Sequence, residues 1–231
     1  LIEKGKVTAD YAIVGEPTKD SVEIGNRGTL WAEVTVKGKA SHAGRPHLGI
    51  NAIHNAARAI VALSRLEFPD RDELFEVPNG SVSVTMVQGG TKINTLADRC
   101  IFSIDRRMMP THNADEAIEQ IRQTIAGALD EGADFDMKVL KVWPPVMMDP
   151  SHVLIQTVVN AFEQVHGFHP RIRAKAGGTD ASFINGMLGI PIVLHGPGAS
   201  DRVHTADEYV TVDELVHASR VYTLATLELL S

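Results

Sequence analysis

The sequence predicts an α/β protein built in more than one part. Three observations predict it: helical and strand periodicities alternate along residues 28–142, short apolar strands lie on both sides of that stretch, and prolines interrupt the pattern near residue 146. At 231 residues and 44% hydrophobic content, the chain has enough apolar material for one large core or two smaller ones.

Residues 10–15 read as a short buried strand whose end delivers Glu16, and Pro17 stops further ladder pairing. From Thr29 to Val36, Leu30, Ala32, Val34 and Val36 alternate with Trp31, Glu33 and Thr35, the period of a half-buried strand. After a loop carrying His42, apolar residues Ile50, Ile53, Ala57 and Ile60 recur at helical spacing up to about Leu66. Val82, Val84 and Met86 then alternate, as do Cys100, Phe102 and Ile104, which gives a hairpin across Thr91–Thr95. Asn113 with Glu116 three residues on resembles a capping box, and Ile118, Ile121, Ile125 and Leu129 form the buried stripe of a helix that Gly132 ends. Phe135, Met137 and Val139 make the next strand. The order strand, helix, strand, strand, helix, strand is the split βαβ or ferredoxin-like arrangement, with both helices on one face of a sheet.

Trp143-Pro144-Pro145 breaks the periodicity and Asp149-Pro150-Ser151 restarts it, which sets a boundary near residue 146. Ser151 is expected to cap a helix bearing Leu154, Ile155, Val158, Phe162 and Val165, ended by Gly167. A strand at Ile172–Lys175 leads into Gly177-Gly178-Thr179-Asp180, a helix starts near Ala181, and Ile190–Leu194 is a short apolar strand. Thr211 and Glu214 form a capping box, and Leu215, Ala218, Tyr222, Ala225 and Leu229 are the stripe of the closing helix.

A formal charge of −7 and a pI near 5.8 argue against partners bound through nucleic-acid phosphate or anionic lipid. No uncharged apolar run reaches the roughly 18 residues of a membrane span, and the first residues do not read as a signal peptide. The single cysteine, Cys100, reads as a small buried hydrophobe, and its lack of a disulfide partner suits a reducing, cytoplasmic setting.

Five segments carry candidate chemistry. Glu16, in Gly15-Glu16-Pro17-Thr18, sits at a strand tip, where carboxylates in open α/β sheets face a ligand crevice; as a bare tetrapeptide it also reads as a surface turn. His42 stands in Ser41-His42-Ala43-Gly44-Arg45-Pro46 between a strand and a helix, where nothing structural demands an imidazole. Asn94 and Arg107 flank a strand; a guanidinium fork offers two parallel bonds to a carboxylate, and an ion pair of Arg107 with Asp105 or Asp98 is the plain alternative. Arg106 is expected on the opposite face from Arg107. Gly178 and Thr179 offer backbone N–H groups near a helix start. His204 lies in His204-Thr205-Ala206-Asp207-Glu208-Tyr209.

In this order the segments resemble the metal-dependent aminoacylase and carboxypeptidase family, which includes acetylornithine deacetylase, succinyl-diaminopimelate desuccinylase and glutamate carboxypeptidase. The resemblance implies an α/β catalytic domain, covered here in part by residues 1–27 and 146–231, with a ferredoxin-like dimerisation lid inserted at 28–145. It implies Glu16 and His204 as metal ligands sharing a cleft, zinc as the metal at two per complete site with cobalt or manganese as substitutes, and Asn94, Arg107, Gly178 and Thr179 as substrate-binding residues. His42 would reach from one subunit of a homodimer into the site of the other and stabilise an oxyanion. The family's His-x-Asp, Asp and Glu-Glu motifs, the last supplying the general base, have no counterpart before Glu16, so the chain is expected to be catalytically incomplete with weak or absent zinc. The implied reaction is hydrolytic removal of an acyl group from an N-acyl amino acid; an exopeptidase acting on dipeptides and a non-enzymatic dimerising ligand-binding module are the alternatives.

Overall fold

The structure is a computed structural model that describes residues 8–203 and 205–231. Along the chain run β1 (Ala12–Val14), β2 (Ser21–Asn26), β3 (Gly28–Lys37), α1 (Ala52–Ser64), β4 (Ser81–Gly89), β5 (Arg99–Met108), α2 (Ala114–Ala128) and β6 (Asp134–Trp143). They are followed by β7 (Val146–Met147), α3 (Val153–His166), β8 (Arg171–Lys175), α4 (Ala181–Ile184), β9 (Ile192–Leu194) and α5 (Val212–Leu229). The chain divides into two compact units: residues up to Gly28, Asp72–Pro78 and Trp143–Ser231 form the first, and Thr29–Arg71 with Asn79–Val142 the second.

The second unit holds a four-stranded sheet in the order β4-β5-β3-β6, the split βαβ arrangement read from the sequence. Its core joins the inward residues of β3 (Leu30, Ala32, Val34, Val36) and β5 (Cys100, Phe102, Ile104, Met108) to Ala56, Ala59 and Leu63 of α1 and Ile121 and Ile125 of α2. Each large side chain buried this way contributes roughly 1.5–3 kcal/mol. Both helices start on asparagine caps: Asn51 accepts from the N–H groups of Ile53 and His54, and Asn113 from those of Asp115 and Glu116. The alternation expected through Val82, Val84 and Met86 fails at its last residue. The register against β5 shifts between Val84 and Met86, so Met86 comes opposite Ser103 and is 68% exposed. A bulge inserts one residue into one strand and thereby exchanges its faces.

In the first unit, β2 is the hub. It pairs parallel with β8 and antiparallel with β7 and β9, β9 pairs parallel with β1, and all six residues of β2 are buried. This strand is not evident in the sequence, because Glu23, Gly25 and Asn26 disguise it as a loop. Val22 and Ile24 pack with Leu154, Ile155, Val158 and Phe162 of α3, Val193 of β9, and Val221 and Ala225 of α5. The cap of α3 is His152, whose Nδ1 accepts the N–H of Leu154; Ser151, expected in that role, instead turns its hydroxyl to Asp149. Gly167 ends α3 at φ +77°, a left-handed conformation that favours glycine. The Thr211–Glu214 capping box opens α5 as expected. The buried stripe of α5 runs through Ala218, Val221 and Ala225, leaving Leu215 exposed. Among the described residues no helix is long and apolar enough to cross a membrane.

His195, just after β9, is buried with Nδ1 at 3.1 Å from Thr18 Oγ1 and 3.3 Å from the Ser21 carbonyl, while Nε2 has no partner. A carbonyl only accepts, so the neutral ring carries its proton on Nδ1. Burial pulls its pKa down to about 4. The unfolded chain takes up this proton near pH 6.5 and the folded chain only near 4, so stability present above 6.5 is lost as pH falls through that window, by about 3 kcal/mol at most. In urea titrations at pH 7 and 4.5, His195→Asn is expected to lose less stability on acidification than the parent chain. An equal loss in both would contradict the assignment.

Candidate functional site

At the tip of β1, the Glu16–Thr18 segment is fastened to the loop after β9. Thr18 N–H donates to the Gly196 carbonyl and Lys19 N–H to that of Gly198. The approach is close enough that a Cβ on Gly196 would sit 2.8 Å from the Glu16 carbonyl oxygen, so this position requires glycine. The half-buried Glu16 carboxylate faces the Lys175 ammonium at 3.4 Å. The same ammonium lies 3.6 Å from Glu23 and donates to the Pro17 carbonyl at 3.2 Å. Glu23 is buried, and burial raises its pKa against the opposing pull of Lys175. Glu16 therefore belongs to a cluster of two carboxylates around one cation. Neither Lys175 nor Glu23 stood out in the sequence, where the one signal was an acidic residue between Val22 and Ile24.

Thr179 is buried beside β2. Its hydroxyl donates to Asn26 Oδ1 at 3.0 Å and accepts the N–H of Ala181, so both functions serve the start of α4. Asn26 in turn donates to Ser182 Oγ and the Arg27 carbonyl. Gly178, next in the same turn, is partly exposed. His204 lies outside the described residues. Among the described residues no group of three His, Cys, Asp or Glu side chains is placed to hold a metal ion. Glu16, with an ammonium beside it, does not by itself fit a metal centre.

In the second unit the loop after β3 is closed at its base by paired backbone bonds between Lys39 and Ile50. A Cβ on Gly49 would meet Ser41 Oγ at 2.5 Å and the Lys39 carbonyl at 2.6 Å, so only glycine allows this closure. The loop lies against the β4–β5 connection: Ala43 N–H donates to the Asn94 carbonyl, Leu96 N–H to the Ser41 carbonyl, and His42 bridges Thr95. Asn94 and His42 are thus brought together, both exposed. His42 Nδ1 accepts the Gly44 N–H at 3.0 Å. In the neutral ring this assigns the proton to Nε2, which makes that nitrogen the ring's donor.

Arg107 lies at the far end of β5. Its guanidinium forks onto Asp105, with Nε and Nη2 at 2.6 and 2.8 Å from the carboxylate oxygens, and Nη1 donates to Thr29 Oγ1. Trp31 Nε1 also donates to Asp105, and the Lys141 ammonium stacks 4.2 Å from the Trp31 ring centre. The ion pair weighed from the sequence is present, and Arg106 faces the other way. Eight residue steps separate Arg107 from the start of β5 at Arg99, a span of about 26 Å at strand rise, and Asn94 and His42 lie beyond that end.

Residues 24–133 match the peptidase dimerisation domain family. A succinyl-diaminopimelate desuccinylase of Magnetococcus marinus is 30% identical over 227 residues, and an acetylornithine deacetylase of Myxococcus xanthus 32% over 228; each alignment covers 96% of this chain and 58% of the relative. The chain therefore spans about three-fifths of the length of these curated relatives. Among solved structures, a metallo-carboxypeptidase of Sulfolobus solfataricus superposes with a TM-score of 0.78 at 16% identity, covering 98% of this chain and 66% of that one. An aminopeptidase of Bacillus cereus superposes with a TM-score of 0.77 at 22% identity, covering 99% and 59%. At these identities the superpositions establish the shared fold. Residues 24–133 are thus similar to a peptidase dimerisation domain, and nearly the whole chain is similar to part of a desuccinylase and of a deacetylase.

Proposed function

We propose that the whole protein is a metal-dependent amidohydrolase that removes the acyl group from an N-acyl amino acid and works as a homodimer joined through its lid, residues 28–145. The observation that carries this reading is the distance along β5. A strand of about 26 Å is far longer than a small acyl amino acid, so one copy does not bring its own Arg107 and its own His42 and Asn94 to one substrate. In this reading a second copy related by a two-fold axis would supply the missing end.

In this reading Arg107 exchanges part of its fork on Asp105 for the substrate carboxylate. His42 of the second copy donates its Nε2 proton to the oxygen that becomes negative as the amide carbonyl turns tetrahedral, with Asn94 beside it. The tautomer fixed by Gly44 is the one this role needs. Gly178 would offer its N–H to the substrate, while Thr179 would act by shaping the turn. Glu16 and His204 would each provide one metal ligand; zinc is the metal we propose, with cobalt or manganese as substitutes. Two ligands fall short of a two-metal centre, so no hydrolytic step rests on them alone. The relatives' names favour deacylation over dipeptide cleavage, since a desuccinylase and a deacetylase both remove an acyl group.

The full-length protein with zinc is expected to hydrolyse N-acetyl or N-succinyl amino acids faster than dipeptides, and the reverse preference would favour the exopeptidase reading. His42→Ala is expected to lower kcat by about a hundred- to a thousand-fold, and Arg107→Met chiefly to raise KM. Mixing the two variants after subunit exchange should restore about a quarter of parental activity, because half the dimers are hybrids with one intact site each. No recovery would place both residues in the same copy's site. The 231-residue chain alone is expected to retain little zinc in equilibrium dialysis; tight binding would mean that it holds a fuller ligand set.

Edge strand β4 carries Met86 and Val87, both largely exposed, and suits two-fold strand pairing. Met86→Lys with Val87→Lys is expected to shift sedimentation from dimer to monomer. An unchanged dimer would move the interface elsewhere on the lid.

A further inference from the structure

The inward face of β5 bears Cys100, Phe102, Ile104, Arg106 and Met108, all buried. Four of the five are apolar. Arg106 is a guanidinium in a core position, 3% exposed, and its Nε and Nη1 have no hydrogen-bond partner. The Phe68 ring stacks 4.3 Å from its carbon, which offsets part of the cost through the ring's quadrupole. No carboxylate among the described residues counters the burial that lowers its pKa to about 10, so it remains a cation at neutral pH. A buried charge left uncompensated is costly, and strand positions of this kind are ordinarily apolar.

Arg106 lines a cleft of about 390 Å³ between the turn after α1 and the start of α2, wholly within the second unit. The opposite wall is fixed and already satisfied. His112 Nδ1 accepts the Met109 N–H, its Nε2 faces Asp70 at 3.4 Å, and Thr111 donates to the same carboxylate. Burial and Arg106 lower the pKa of His112 against the opposing pull of Asp70. Glu67 and Glu116 line the exposed mouth. The cleft therefore sets one buried cation, Arg106, against the wall carboxylate of Asp70, already held by Thr111 and His112, and the two exposed carboxylates of Glu67 and Glu116. A simple anion would be repelled on the way in and a simple cation at the floor. A molecule carrying both charges fits both ends.

We propose that this cleft binds a free α-amino acid, its carboxylate on Arg106 and its ammonium on Glu67 and Glu116. The volume lies in the range of small-molecule sites. The cleft is distinct from the His42, Asn94 and Arg107 constellation, because Arg106 and Arg107 project from opposite faces of β5. The proposal does not depend on the amide-cleaving reading.

The test is an NMR titration of the 231-residue chain with L-alanine, read at the His112 ring protons, with acetate and ethylammonium as single-charge probes. L-Alanine is expected to shift these resonances saturably and more tightly than either probe. Arg106→Met, which keeps the volume and removes the charge, should weaken binding about ten- to a hundred-fold. Glu67→Gln with Glu116→Gln should reduce L-alanine to the affinity of acetate, and Arg107→Met should leave the titration as it was. Absence of a saturable shift, acetate binding as tightly as L-alanine, persistence in Arg106→Met or loss in Arg107→Met would each overturn the proposal. Should Arg106→Met fail to fold, the double glutamine variant decides by itself.

Discussion

The first unit depends on two polar side chains held inside a strand that is buried along its whole length, one hydrogen-bonded and the other ion-paired. β2 holds Glu23 and Asn26 where a hydrophobic strand would hold neither, and a buried polar group without a partner is strongly disfavoured. Asn26 is satisfied by Thr179, Ser182 and the Arg27 carbonyl, which draws the glycine turn and the start of α4 against the sheet. Glu23 draws in Lys175, and Lys175 holds Glu16. The place of each candidate group in this unit thus follows from what β2 needs.

The second unit rests on a different rule, the two-residue period of β5. One face carries Asp105 and Arg107, paired with each other and with Trp31 and Thr29; the other carries Arg106 among core residues. Two adjacent arginines of the same chemistry meet opposite environments one step apart. On the outer face the cation has a carboxylate at hydrogen-bond distance, and on the inner face it has an aromatic ring and a cleft.

Much of this organisation was legible in the sequence because it is periodic. The alternation in β3 and β5, the helical stripe through Ile121 and Ile125, the Thr211 capping box and the opposed directions of Arg106 and Arg107 all express local geometry. The illegible parts depend on partners distant in the chain. β2 was hidden because Asn26 is hydrogen-bonded, and Glu23 ion-paired, to residues some 150 positions away. His152 displaced Ser151 as a cap because Asp149 claimed the serine hydroxyl. His42 and Asn94 stood out as separate motifs, but their juxtaposition depends on a loop pinned by Lys39, Ile50 and Gly49. The cleft beside Arg106 was also hidden, since its wall at Glu67–Asp70 lies more than thirty positions from that residue in the chain.

The irregularity in β4 bears on how copies of this molecule associate. A straight edge with a row of free amides accepts any extended strand and, after that, another, which is the route to open-ended fibres. After Val84 the strand advances two residues against one on β5, so its twist increases and its faces exchange. Only a short length on either side of that kink keeps one continuous register. An edge shaped this way rewards a partner bent in the complementary sense, such as its own two-fold mate, and penalises flat strands that stack without limit.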